Sequence, residues 1–167
     1  MGGVKGATVG DHIVLQYGKG LPKRIRDSSG SVPVYGSSGI TGHHSESLVD
    51  GPVVIIGRKG SAGHVELAPN ECWPIDTTYY VEVPDHIDPK FLAYELKKLN
   101  LGKLDQSTAV PSLSRDHVYE QPLVIPPLEA QRAEVARLDA LHSEIDALKD
   151  ILINLVKRLD ILKSKSY

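Results

Sequence analysis

Residues 128–162 read LEAQRAEVARLDALHSEIDALKDILINLVKRLDIL, and the architecture turns on this stretch. Leu138, Leu141, Ile145, Leu148, Leu152, Leu155, Leu159 and Leu162 recur at alternating spacings of three and four, a heptad pattern with Leu138 at a and Leu141 at d. Neither Pro nor Gly interrupts it, and Leu, Ala, Lys, Arg and Glu, all good helix formers, dominate the composition. Upstream, Ile125-Pro126-Pro127 stops a helix from extending backwards, because each Pro lacks an N–H and biases the residue before it away from αR. Pro127 suits a first helical turn, and Glu129 suits the positive end of the helix dipole. The spacing predicts one helix, a rod of roughly 52 Å at 1.5 Å per residue. The plainer alternative is an amphipathic helix lying on its own globular domain, but such a helix usually drifts off a strict heptad. The pattern asks for a partner helix.

The rest of the chain is long enough for one domain with a core of its own, giving two parts, 1–127 and 128–167. Overall charge is nearly balanced, 19 Lys plus Arg against 21 Asp plus Glu, so nothing global announces a nucleic-acid partner. The distribution is less even. Residues 1–64 carry seven basic against four acidic side chains, whereas residues 65–95 carry one against seven, so one face is expected to be basic. A single cysteine, Cys72, excludes an internal disulfide and a cysteine-based zinc site, which suits a reducing, cytoplasmic setting. No apolar run approaches 18 residues, so no membrane partner is expected.

In chain order, Val9–Tyr17 reads as a short strand or a turn of helix, and Gly18–Arg26 as a loop. Val32–Tyr35 is a brief extended piece leading into a Gly/Ser loop that reaches His44. Pro52–Ile56 is a short apolar strand stopped by Gly57–Gly63, and Val65–Leu67 and Thr77–Val83 alternate as strands. Asp88 with Pro89 marks a helix start, with the helix running to about Asn100 and burying Leu92, Leu96 and Leu99. Residues 106–114 look turn-like, and Leu123–Ile125 reads as a last strand. The expected class is α+β: a mixed, largely β domain presenting loops, followed by one long coiled-coil helix.

Catalytic motifs find little support. Pro84-Asp85 with Glu95-Leu96-Lys97 imitates a metal-dependent nuclease, yet Glu95 and Lys97 fall in a predicted helix, where residues two apart point to different faces. Gly57–Gly63 lacks the Gly-Lys-Ser/Thr ending of a P-loop. His43, His44 and His64 lie in Gly-rich stretches, where solvated or ligand-contacting histidines are commoner than metal ligands. The serines have no identifiable base and orienting acid, so neither an enzyme nor a cofactor is expected. The loops read better as a recognition surface. Arg and Lys suit guanine edges and phosphates, Ser and Thr suit either, and Gln suits adenine. Lys19, Lys23, Arg24 and Arg26 form one group, Ser37, Ser38, Thr41, His43 and His44 a second, and Arg58, Lys59 and Ser61 a third. Thr77, Thr78, Gln106, Ser107 and Thr108 add a further edge. Solvated turns would show the same composition.

Five stretches carry a resemblance: Val34–Ile40, Ile55–Gly63, Asp76–Val81, Ser107–Ser114 and Ile125–Gln131, the last opening onto the long helix. In this order they are similar to the target-recognition domain and helical spacer of specificity subunits of type I restriction-modification systems. The resemblance implies a non-enzymatic part that reads double-stranded DNA and docks the modification (methyltransferase) subunit, with a restriction subunit joining indirectly. The methyl donor and ATP would bind those other subunits. Family members typically carry two recognition domains and two antiparallel spacer helices. This chain shows one of each, the half-subunit form, which leaves a natural half, a truncation and one of two chains open; an antiparallel homodimer through the rod, reading two inverted half-sites, is expected. Ile151, Ile153, Val156 and Ile161, outside the a/d seam, are then expected under the modification subunit. A stand-alone DNA-binding regulator, dimerised by its coiled coil, is the alternative. Co-purification of a modification subunit separates the two.

Overall fold

A computed structural model describes residues 6–104 and 109–164. The chain is mixed α+β with one long C-terminal helix, and it divides into two compact units, residues 1–131 and 132–167. The order of elements is α1 (Val9–His12), β1 (Gln16–Tyr17), β2 (Val32–Gly36), β3 (Gly39–His44), β4 (Val53–Gly57), β5 (Val65–Ala68), β6 (Trp73–Pro74), β7 (Thr78–Glu82), α2 (Pro89–Lys98), α3 (Arg115–Tyr119) and α4 (Leu128–Ser164). Single 3-10 turns occupy Lys23–Ile25 and Leu101–Leu104.

The strands form two sheets. One has the order β1-β7-β4-β5 and is antiparallel throughout; the other, β3-β2-β6, pairs β2 antiparallel with β3 and parallel with β6. The run Val53-Val54-Ile55-Ile56 is buried at every position because β4 is a central strand covered on both faces. Val53 and Ile55 pack with Tyr35, Val49, Ala68, Cys72 and Tyr80. Val54 and Ile56 point to the other face, and α2 packs on β4 and β5. On β2, Tyr35 faces that core while Val34 joins Leu21 and Trp73 in a second one. A strand with a core on each side ties the two sheets together.

Helix α2 forms as its ends dictate. The Asp88 carboxylate accepts from the backbone N–H of Lys90 and Phe91 at 2.9 and 3.0 Å, and Pro89 occupies the first turn, where its missing N–H costs nothing. Phe91, Leu92, Ala93 and Leu96 are buried, whereas Leu99 is only half-buried. Asn100, at φ 51°, ends the helix in the left-handed conformation.

Three sequence expectations change. Residues 39–44 are not loop but strand β3. Ser37 and Ser38 are the two central residues of a tight hairpin flanked by Gly36 and by Gly39 at φ 111°, with Tyr35 paired to Ile40. Strand β3 is the edge of its sheet, and its exposed side chains other than Ile40 are polar, so the apolar alternation that announces a strand is absent. Leu123–Ile125 forms no strand: Leu123 is buried and donates one bond to Ala7, but Pro126 and Pro127 offer no donors to prolong a ladder. Two short elements, β6 and α3, had no periodicity to betray them.

The start of α4 is fixed inside the first unit. Gln131 is fully buried; its carbonyl oxygen accepts from Asp88 N–H at 2.7 Å, and its amide donates to His86 and Pro126 carbonyls at 3.0 and 2.8 Å. A buried amide with three partners is satisfied, and it links the cap of α2 to the first turn of α4.

Candidate nucleic-acid interface

The loop after β4 is where the candidate residues gather. Gly57 has no room for a side chain, since a Cβ would collide with Ser61 O and lie 2.6 Å from Ser37 O. The glycine therefore lets the 57–63 loop press against the β2–β3 hairpin turn. Arg58 and Lys59 N–H both donate to Thr77 O at 2.9 and 3.1 Å, Gly60 N–H donates to Pro111 O, and Arg58 O accepts from Leu113 N–H at 2.8 Å. Gly18 N–H donates to Thr78 O and Lys19 N–H to Pro74 O, which brings the 18–20 loop to the same edge. Backbone bonds, and for Ser37 the close approach at Gly57, thus bring Lys19, Ser37, Arg58, Lys59, Ser61 and Thr77 to one edge.

Arg58 is the best-defined side chain of the group. Its Nε and Nη2 donate to Asp76 O at 3.2 and 2.6 Å, and its guanidinium lies over the rings of Tyr17 and Tyr79, 5.4 and 5.9 Å from their centroids. The two rings meet edge to face at 5.1 Å. Arg115, from α3, adds a second guanidinium 5.3 Å from the Tyr17 ring and 6.0 Å from that of Tyr119. Tyr79 is buried and its phenol donates to Leu113 O at 3.0 Å. Burial, followed by the neighbouring Tyr17, pushes its pKa up to about 12. Tyr17 stands 53% exposed at the surface of this cluster. Sequence reasoning missed Tyr17 and Arg115, because only contacts between distant segments give either a role.

The other candidates are distributed differently. Lys19 Nζ lies 5.9 Å from the Trp73 ring, and His44 meets the same ring edge to face at 5.4 Å. His44 Nδ1 accepts from Asp27 N–H, and Arg26 donates to Leu21 O and Thr41 O at 3.0 and 2.9 Å. Both therefore brace the β3 edge as well as bordering solvent. Lys23, Arg24, Ser38, Thr41, His43, Lys59 and Ser61 are exposed, and Ser37 and Thr77 half-buried. Thr78 is a correction: it is fully buried and its hydroxyl donates to Ile75 O at 2.8 Å, so it is part of the fold rather than of a contact surface. Gln106, Ser107 and Thr108 lie outside the described residues. His64 Nε2 is 3.6 Å from a Glu66 oxygen, and among the described residues no three His, Cys, Asp or Glu side chains group as metal ligands. Glu95 pairs with Lys98 on α2, and Lys97 lies 6.0 Å from the Tyr94 ring.

The second unit offers a different surface. Leu141, Ile145, Leu148, Leu152, Leu155 and Leu159 are between 43% and 64% exposed, and Leu138 is half-buried. The side chain of Leu162 lies outside the described residues. Ile151, Ile153 and Val156 are about as exposed, so the apolar surface of this helix extends beyond the heptad seam. Among the described residues no helix is long and apolar enough to cross a membrane.

The sequence model of the family described as the type I restriction modification DNA specificity domain matches residues 4–158. The type I restriction enzyme EcoprrI specificity subunit of Escherichia coli is 25% identical over 127 residues, covering 75% of this chain and 32% of the relative. The chain spans about a third of the length of the curated relatives it matches. The fold is similar to the type I restriction-modification S subunit of M. genitalium, with a TM-score of 0.70 and 18% identity over 86% of this chain and 40% of that one. It is also similar to the HsdS subunit of Thermoanaerobacter tengcongensis, with a TM-score of 0.65 and 20% identity over 86% and 38%.

Proposed function

The chain belongs to the type I restriction modification DNA specificity domain family, and from that premise we propose that it is a non-catalytic reader of DNA sequence within such a complex. The recognition domain, residues 1–127, engages double-stranded DNA through Lys19, Lys23, Arg24, Arg26, Arg58 and Lys59. Ser37, Ser38, Thr41, His43, His44, Ser61 and Thr77 border that surface. Thr78 has no place in it, since its side chain is buried. The observation that carries the reading is the junction at the end of β4, where backbone bonds fix Lys19, Arg58 and Lys59 on one edge. Cations held on a backbone-bonded scaffold suit a phosphate-lined groove.

Residues 128–167 form the spacer. Two copies pair antiparallel through the heptad face, and the modification subunit covers the outer apolar face around Ile151, Ile153 and Val156. Antiparallel pairing centred on Asp150 sets Leu148 against Leu152, Ile145 against Leu155, and Leu141 against Leu159. It also brings Glu144 near the partner's Arg158, an exposed pair contributing only a few tenths of a kcal/mol. The β-branched residues that parallel dimers favour at a are absent except for Ile145. The test is the methylation pattern in cells that carry this chain with its modification subunit as the sole specificity component. Two identical, inverted half-sites separated by an unread gap are expected. An asymmetric site removes the symmetric pairing, and no sequence-specific methylation removes the reader.

A further inference from the structure

We propose that Arg58 reads a guanine in the major groove, with the Nη1–Nη2 end of its guanidinium as the reading edge. The inference rests on the DNA-reading role above and adds which residue specifies a base rather than a phosphate. Both backbone polar groups of Arg58 are engaged: its N–H donates to Thr77 O at 2.9 Å and its carbonyl accepts from Leu113 N–H at 2.8 Å. Its side chain is equally constrained. Nε and Nη2 converge on the Asp76 carbonyl at 3.2 and 2.6 Å, and the guanidinium rests against Tyr17 and Tyr79. The aromatic support is itself anchored, because the Tyr79 phenol donates to Leu113 O, on the same residue whose N–H holds Arg58.

This arrangement uses the side edge of the fork. A guanidinium has five N–H groups; two are directed at Asp76 O, which leaves both Nη1 hydrogens and one on Nη2. One Nη1 hydrogen and the remaining Nη2 hydrogen lie parallel and form the end-on pair that matches the O6 and N7 acceptors of guanine. Base reading demands a donor pair whose orientation is set before contact, since a few tenths of an ångström decide whether both bonds form. A phosphate accepts from many directions and makes no such demand. Lys19 and Lys59, by contrast, carry flexible ammonium groups suited to phosphate. These contacts already hold the Arg58 side chain in the free protein, so less freedom is lost on binding.

The probe is a library of duplexes with a randomised core, selected on the full chain assembled with its modification subunit and read by sequencing. Wild type is expected to enrich a motif containing guanine at one position of each half-site. Arg58→Ala is expected to lower that guanine preference by roughly five- to a hundred-fold while leaving the other positions of the motif intact. Arg58→Lys keeps the charge and much of the stem but lacks the fork, and should lose the same preference. A motif retained in full by Arg58→Lys, or a uniform weakening across all sequences with a flatter salt dependence in Arg58→Ala, would identify a phosphate contact and overturn the assignment. If wild type enriches no motif, the DNA-reading role fails first and takes this one with it.

Discussion

Thr78 sits in Asp76-Thr77-Thr78, whose hydroxyls look from sequence alone like groups for base edges, yet its side chain is sealed in the fold. Ile75 O accepts both its hydroxyl and its N–H, at 2.8 and 3.0 Å. Thr78→Val therefore leaves that carbonyl with a partner, and should cost only about 1 kcal/mol in urea unfolding without altering base preference. Tyr79 supplies a second prediction. Its pKa is raised to about 12 by burial, then by Tyr17, so the folded state holds the proton more tightly than the unfolded chain does. That stability is fully present below pH about 10, the unfolded value, and is lost as pH rises toward 12. Unfolding measured across pH 9–12 should show the decline, and Tyr79→Phe should flatten it. The loop that carries Arg58 and Lys59 was legible because glycines flank it on both sides. Thr78 was not, because alternation along β7 does not say which face the adjoining loops will cover.

At the scale of elements, α2 and α4 were readable from their ends as well as their periods: Asp88-Pro89 for one, Pro126-Pro127 for the other. The hairpin of β2 and β3 was only half visible, since an edge strand needs no apolar face and its Gly-Ser-Ser-Gly turn resembles any loop. Gln131 gives the element-scale prediction. Gln131→Leu would leave Asp88 N–H and the His86 and Pro126 carbonyls without the partner they now have. Unsatisfied buried groups cost about 1–3 kcal/mol each, so denaturant unfolding should show a loss of about 3 kcal/mol or more. A loss below 1 kcal/mol would mean that water replaces the amide and that the clamp is dispensable.

For the whole molecule, the long helix carries the clearest consequence of its sequence. A helix exposing Leu148 to 64% and Leu152 to 62% in a single chain leaves these side chains largely open to water, and such surface is normally covered. Sedimentation of the purified chain should give a dimer, and Leu148→Glu should give a monomer whose recognition unit keeps its thermal transition. A wild-type monomer at micromolar concentration would defeat the pairing. The heptad was legible because one repeating rule extends over the entire stretch. The convergence at the end of β4 was not, because it depends on loops from five separate places in the chain.

Cys72 lies wholly buried between the sheets, and burial lifts its thiol to a pKa of about 12, so almost no thiolate exists at neutral pH. The folded chain should consequently behave as a cysteine-free scaffold toward maleimides. A single cysteine introduced at either end of the rod can be labelled or cross-linked selectively, with the native thiol left in place. The same protection turns Cys72 into a clock, since its alkylation rate under native conditions reports how often the recognition unit opens.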